Sequence, residues 1–109
     1  MALIVHKYGG TLHFELSAAG IDPAWLQGRP LEIDFRKGGE RLKLAPNRPS
    51  RGLKAHYQAA GVPAWERARL PVVSAGMDLL FAAGLGMDCR HVGDGPDRIA
   101  LRWETTVTG

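Results

Sequence analysis

The sequence of 109 residues has little cysteine, few aromatic residues and no long apolar run. Because Cys89 is the lone cysteine, an internal disulfide and a zinc site of four thiolates are excluded, which fits a reducing compartment. Aromatic residues make up 7% of the chain, so we do not expect a large stacking platform for single-stranded RNA. No segment approaches the roughly 18 to 20 apolar residues of a membrane span, and no secretory signal pattern opens the chain. We therefore expect a cytoplasmic location away from membranes.

The composition that is present is that of a globular protein, with 45% hydrophobic and 23% charged residues. A chain of this length buries roughly two-thirds of its unfolded surface on folding, so we predict a single domain over residues 1–109. Its charge is uneven: residues 29–69 carry ten basic and four acidic side chains, a net charge of +6, and the remainder has a net charge of −3. Arginine supplies ten of the fourteen cations, and its planar guanidinium suits phosphate oxygens. The basic middle indicates a polyanion partner, while a solvated surface face explains the charge equally well.

Several short runs alternate apolar and polar residues, which is typical of half-buried strands. Residues 3–8 and 11–16 flank Gly9-Gly10 and predict a tight hairpin, with Leu12, Phe14 and Leu16 on its buried face. A second hairpin is predicted from residues 31–36 and 41–44, joined around Lys37-Gly38-Gly39. Further strands are predicted at residues 72–74, 79–83, 87–92 and 99–103, with a turn or a bulge at 84–86 and a turn at 93–97.

One main helix is predicted over about residues 51–60, because Ser50 can cap its start and Gly61 can end it. Short helical turns are expected near Pro23 and Glu66. Strands precede and follow the main helix without strict alternation. The predicted class is therefore α+β, with a mainly antiparallel sheet or a small β-sandwich.

Motifs for catalysis are scarce in this sequence. The cluster Asp88-Cys89-Arg90-His91 lacks the further ligands that a metal site needs. There is no Gly-x-Ser-x-Gly nucleophile turn and no Gly-x-x-x-x-Gly-Lys-Ser/Thr phosphate loop. We expect no catalytic residue and no metal in this chain.

Eight basic residues are candidates for phosphate contacts, and they would form one surface if the helix packs beside the second hairpin. The glycines of the hairpin turn let the backbone approach a partner closely, and a helix start favours phosphate. The candidates are Arg36, Lys37, Arg41, Arg48, Arg51, Lys54, Arg67 and Arg69. Trp65 is expected to pack on the helix end, with stacking on a sugar or base as the alternative.

A resemblance to a known family rests on four segments of this basic region. They are Phe35-Arg-Lys-Gly-Gly-Glu-Arg-Leu42, Leu53-Lys54, Gly61-Val-Pro-Ala-Trp-Glu-Arg67 and Arg69-Leu-Pro-Val72. Together they resemble the C-terminal domain of bacterial tRNA(Ile)-lysidine synthase, whose pattern has Ile where Val62 stands here. By this resemblance, Arg36, Arg41, Lys54 and Arg67 match basic positions of the family. The family's structural positions are matched by Gly38, Gly39, Pro63, Trp65 and Pro71.

The resemblance implies an α+β, tRNA-binding domain of a larger enzyme. The parent enzyme is a ligase of tRNA processing that uses ATP, with magnesium, to attach lysine to the wobble cytidine of tRNA(Ile) with a CAU anticodon, giving lysidine. Nucleotide binding and catalysis belong to a separate domain with a Ser-Gly-Gly-x-Asp-Ser loop, which this sequence lacks. The implied partners are tRNA(Ile) and the rest of the parent enzyme. The alternative is a protein-interaction module, or a homodimer, without nucleic-acid contact.

Overall fold

The computed structural model describes residues 2–5 and 8–106, and every strand pair in that part of the chain is antiparallel. The strands are β1 (Ala2–Val5), β2 (Gly10–Gly20), β3 (Leu31–Asp34), β4 (Arg41–Leu42), β5 (Arg51–Gly52), β6 (Val72–Ala75), β7 (Asp78–Ala82), β8 (Gly86–Met87) and β9 (Gly93–Thr105). The helices are α1 (Pro23–Leu26), α2 (Leu53–Ala59) and α3 (Ala64–Arg67), with a 3₁₀ turn at Cys89–His91. The predicted α+β class is confirmed. No helix within the described ranges is long and apolar enough to cross a membrane.

The first sheet has the order β1-β2-β9. The first predicted hairpin is confirmed, but Gly10 is not part of its turn because Gly10 already pairs with Val5. Of the predicted hairpin residues, His6 and Lys7 lie outside the described part of the chain. Gly10 is required by packing, since a Cβ there would lie 2.3 Å from the Trp103 ring.

The pairing of β2 with β9 corrects two predictions about this sheet. β2 continues to Gly20, and the predicted turn at residues 93–97 lies within β9, where Ser17 pairs with Arg98 and Ala19 with Asp94. Three residues of β9 therefore face one of β2, which is a bulge rather than a chain reversal. Leu16 was expected to be buried, but it is 72% exposed. Alternation predicts on which face of the sheet a side chain lies, but it does not predict whether that face is covered. Leu16 lines an open groove beside α1.

The second sheet has the order β3-β6-β7-β8, and the predicted second hairpin is wrong. β3 pairs with β6, from Leu31 opposite Ala75 to Asp34 opposite Val72. β4 pairs instead with β5 in a separate ribbon of two residues each. Pairing of β3 with β6 is favoured over pairing with β4 because β6 contributes two buried valines, whereas β4 is only two residues long. The strand predicted at 87–92 ends at Met87, where the Asp88 carboxylate accepts the Arg90 amide and starts the 3₁₀ turn.

The main helix is shorter than predicted and packs on the second sheet. α2 begins at Leu53 because residues 51 and 52 belong to β5, and its N-cap is Gly52 without a side-chain cap, so Ser50 does not cap it. Leu53 and Tyr57 are buried in the core with residues of β6 and β7. The Tyr57 hydroxyl donates a hydrogen bond of 2.7 Å to the Ala83 carbonyl. This bond ties α2 to the end of β7.

Asp88 is a fully buried carboxylate that joins the β4 segment to the 3₁₀ turn. Its Oδ2 accepts from Arg90 Nη2 at 2.6 Å and from the Lys43 amide at 3.1 Å. Burial by itself raises the pKa of Asp88, but the hydrogen bonds from Arg90 and Lys43 outweigh burial and hold the pKa below its usual value. Asp88 is therefore ionised at neutral pH and stabilises the fold through these bonds.

We expect Tyr57→Phe to lower the free energy of unfolding by about 1 to 2 kcal/mol, because the buried Ala83 carbonyl loses its partner. Urea denaturation of both proteins measures this difference. Gln58→Ala, at the next and exposed position of α2, is the control and should change stability by less than about 0.5 kcal/mol. Equal stability of Tyr57→Phe and wild type would contradict the assigned hydrogen bond.

We expect Asp88→Asn to cost about 2 kcal/mol at pH 7, since the bonds to Arg90 lose their charge. The folded-state pKa of Asp88 lies below the ordinary 3.8, so its stabilisation is present above that pH and is lost as the pH falls through the folded pKa. We therefore expect the urea midpoints of Asp88→Asn and wild type to differ less near the lower pH limit of folding than at neutral pH. The exposed Asp78→Asn is the control, and a pH-independent difference for Asp88→Asn would refute the linkage.

Candidate nucleic-acid interface

A cleft of about 430 Å³ opens between the Gly38-Gly39 loop and the start of α2. The residues that line it are Arg36, Lys37, Gly38, Gly39, Glu40, Arg41, Gly52, Leu53 and Lys54. Four of the eight predicted phosphate-contacting residues are thus brought together around one concavity. We call this the basic cleft.

The loop that forms one wall of the basic cleft closes on its own carboxylate. Glu40 accepts hydrogen bonds from the amides of Lys37 at 2.6 Å and Gly38 at 2.8 Å. The loop needs glycines, since Gly38 and Gly39 have φ of 101° and 84°. Burial raises the pKa of Glu40, but these amide hydrogen bonds and the charge of Arg36 outweigh it, so the net shift is downward. Glu40 therefore remains an anion that shapes the loop.

The two arginines of the cleft contact neutral groups, while the charge of Arg36 also acts on the nearby Glu40 carboxylate. The Arg36 guanidinium lies 5.5 Å from the centre of the Tyr57 ring, a cation–π distance. Arg41 Nη2 donates to the Ser50 carbonyl at 2.6 Å. Among the described residues, Lys37 is the one of the eight candidates with an ion pair, an exposed contact of 3.5 Å to Asp34. Such exposed pairs are weak, so the cleft keeps a positive character.

Arg67 lies next to the basic cleft but does not line it. Its Nη1 is 3.5 Å from the Lys54 carbonyl, and its Nε is buried without a hydrogen-bond partner among the described residues. This contact places α3 beside the first residues of α2. Arg67 therefore connects the cleft to α3.

The remaining candidates, Arg48, Arg51 and Arg69, are exposed and are not among the described residues that line the cleft. Arg48 and Arg51 were expected to lie just before and at a helix start, where phosphate is favoured. This placement is wrong because α2 begins at Leu53. The expectation of one surface thus holds for four residues and, through Arg67, for a fifth beside it. Sequence reasoning misplaced Arg51 because it assigned residues 51 and 52 to the helix, whereas they form β5.

The motif residues beyond the loop have structural positions of different kinds. Pro63 is the N-cap of α3, and the buried Pro71 accepts the Ala83 amide through its carbonyl. Trp65 was expected to pack on the helix end, but it is 70% exposed. A four-residue helix has no buried residue of its own here, so the indole faces solvent.

Sequence reasoning missed Arg90, which borders a second depression on the other side of Arg41. This depression of about 520 Å³ is also lined by Met77 and His91. Arg90 lies outside the basic stretch and in a 3₁₀ turn that was predicted as a strand, so no sequence signal indicated it. Its charge is offset by Asp88 at 2.6 Å. In the described part of the chain, no group of three or more His, Cys, Asp or Glu side chains is placed to hold a metal.

Known proteins resemble this chain over most of its length. The tRNA(Ile)-lysidine synthase of Ralstonia nicotianae is 55% identical over 85 residues, which are 77% of this chain and 18% of that protein. The tRNA(Ile)-lysidine synthase of Nitrosomonas europaea is 35% identical over 103 residues, or 93% of this chain and 22% of that protein. The chain spans about a fifth of the length of these curated relatives.

The fold also has a solved counterpart. The crystal structure of a TILS C-terminal domain matches with a TM-score of 0.68, covering 93% of this chain and 88% of that chain at 22% identity. The family model of the TilS substrate C-terminal domain matches residues 31–103, the range that contains the basic cleft, Arg67 and Trp65. With two-thirds of the sequence matched by one family model, the chain belongs to the TilS substrate C-terminal domain family.

Proposed function

We propose that this chain is the tRNA-docking domain of a tRNA(Ile)-lysidine synthase and that the basic cleft binds the phosphate backbone of tRNA(Ile). The observation that carries the proposal is the convergence of Arg36, Lys37, Arg41 and Lys54 on one cleft. Family membership supports it, since the curated relatives are tRNA(Ile)-lysidine synthases. The rest of the parent enzyme is the second proposed partner.

The chemistry of the cleft suits a backbone ligand better than a base sequence. Arginine forms paired hydrogen bonds to phosphate oxygens, and phosphate contacts supply affinity and register without reading sequence. Duplex RNA presents its phosphates and 2′-hydroxyls to a protein surface while its major groove is too deep and narrow for side chains. Docking by shape and charge is therefore the proposed mode.

The ligation itself is proposed to occur in the part of the parent enzyme that lies beyond this chain. This sequence contains neither a Ser-Gly-Gly-x-Asp-Ser loop nor a Gly-x-x-x-x-Gly-Lys-Ser/Thr loop for the phosphates of ATP. ATP with magnesium would bind in that other part and activate the cytidine for attack by lysine. The residues of this chain would contribute by holding the tRNA.

We expect Arg36→Ala, Arg41→Ala and Lys54→Ala each to weaken tRNA(Ile) binding and to flatten the plot of log affinity against log salt by about one unit. Fluorescence anisotropy with labelled tRNA over a salt series measures both quantities. Arg102→Ala is the matched control, because it removes one positive charge from the β2–β9 sheet, where Arg102 pairs with Glu15. Binding that is independent of salt, or an equal change in slope for Arg102→Ala, would contradict docking in the cleft.

We expect Glu40→Gln to weaken tRNA binding about fivefold even though it removes a negative charge, because a glutamine amide cannot accept both loop hydrogen bonds. A fivefold loss of affinity corresponds to about 1 kcal/mol of binding free energy, which is the cost of ordering the loop when the RNA binds. The control is Glu66→Gln, which removes the same charge from the exposed face of α3 and should leave binding equal or slightly tighter. If Glu40→Gln instead binds more tightly, the carboxylate opposes the ligand and does not order the loop.

A further inference from the structure

A groove with apolar walls opens on the first sheet beside α1. It encloses about 680 Å³, and its walls come from β2, β9, α1 and the first residue of β3. The large side chains that line it are Phe14, Leu16, Leu26, Leu31 and Ile99. None of the described residues that line it is charged. We call this the apolar groove.

The side chains of the apolar groove form one continuous patch. Four of the five large ones are partly buried and pack against the core, while Leu16 is 72% exposed. A single exposed leucine is ordinary on a protein surface, but a contiguous apolar patch marks an interaction site. The groove is therefore suited to apolar side chains of a partner.

An acidic loop adjoins the apolar groove at Leu16. The same leucine lines a depression with Asp94 and Asp97, and both aspartates are exposed. Within the described part of the chain neither aspartate has an ion pair. Arg98, the cation of this loop, packs over the loop glycines and lines a different depression beside Arg90. This end of the groove is thus negative, which disfavours an RNA backbone and favours a cationic side chain.

The apolar groove is separate from the basic cleft. No described residue lines both. Arg29, the cation closest to α1 along the chain, lies over the Trp25 ring at 4.2 Å, and neither of these residues is among those that line the groove. The groove can therefore be covered while the basic cleft remains open to RNA.

The relatives indicate what covers the groove. The matched range is 18% of the Ralstonia nicotianae protein and 22% of the Nitrosomonas europaea protein, so about four-fifths of each lies outside it. Covalent linkage raises the effective concentration of a neighbouring segment to the millimolar range. A stable interface between separate proteins uses roughly 20 to 30 residues a side, whereas eight residues line this groove. Its size therefore favours a segment of the same polypeptide over a second copy of the chain.

We propose that the apolar groove packs against the rest of the parent enzyme. It takes an apolar segment of that part of the polypeptide, with a lysine or arginine of the segment beside Asp94 and Asp97. The inference rests on the proposed place of this chain in a larger enzyme and does not depend on RNA docking. Such a contact holds the domain in one orientation, so that the basic cleft is directed at the tRNA on which the rest of the enzyme acts.

The test measures how fast a maleimide labels Leu16→Cys, with all other cysteines replaced by serine, in the isolated chain and in the parent enzyme. We expect labelling to be about 10-fold slower in the parent enzyme, because a tethered segment occupies the groove most of the time. Met77→Cys is the control, since Met77 is 102% exposed and does not line the groove, and it should be labelled at the same rate in both proteins. The isolated chain is a valid reference because the solved C-terminal domain, of which the match covers 88%, forms this fold by itself.

The acidic loop is tested in the same parent enzyme. Asp94→Asn together with Asp97→Asn should bring the labelling rate at position 16 closer to that of the isolated chain, because the attraction for the cationic side chain is lost. Asp78→Asn, which removes an exposed carboxylate far along the chain from this loop, is the matched control. An unchanged rate after the double substitution would overturn the proposed cation beside the loop.

A benzophenone maleimide attached to the same cysteine identifies the occupant of the groove. We expect a cross-link within one polypeptide, to a residue of the parent enzyme outside residues 1–109. Equal labelling of Leu16→Cys in the two proteins, or a cross-linked product of doubled mass, would overturn the proposal.

Two further outcomes separate this proposal from RNA docking. If labelling at position 16 is equal in the two proteins and the isolated Leu16→Cys chain binds tRNA as wild type does, the groove proposal fails and docking in the basic cleft stands. A cross-link from position 16 to added tRNA would overturn both, because the RNA would then lie on the first sheet.

Discussion

The carboxylate of Glu40 accepts two backbone amides of the loop before it, and the geometry of the basic cleft depends on this closure. Two consecutive glycines with positive φ allow the turn, and the charged hydrogen bonds to Lys37 and Gly38 select it from the many conformations open to glycine. Arg36 and Arg41 stand on either side of the closed loop. Because both flank one ordered segment, the loop that Glu40 closes brings the two arginines to the same cleft.

The core and the cleft share Tyr57. Its hydroxyl binds the Ala83 carbonyl at the end of β7, while its ring lies beneath the Arg36 guanidinium. The same side chain therefore anchors α2 on the second sheet and supports a cation of the cleft. Next to it, Arg67 links α2 to α3 and so relates the cleft to the exposed Trp65. Side-chain positions across this surface follow from the packing of two short helices.

Strand identity could be predicted from this sequence where apolar alternation was strong, but strand pairing could not. Residues 31–36 and 41–44 both have strand patterns, and the glycines between them favoured a hairpin. β3 instead pairs with β6, about forty residues further along the chain, which has more apolar surface to share. A local pattern contains no information about such a distant partner. Ser50 likewise has the chemistry of a helix cap, but pairing of Arg51 and Gly52 with β4 moved the helix start to Leu53.

The sequence by itself determined the α+β class, the basic character of residues 29–69 and the glycine loop with its neighbouring cations, since composition and turn chemistry are local properties. Tertiary structure alone decided which cations meet. It grouped Arg36, Lys37, Arg41 and Lys54 around one cleft and left Trp65 in solvent. The physical reason is that convergence of side chains depends on long-range packing of α2 on the second sheet, and this packing selects among arrangements that the local sequence permits equally.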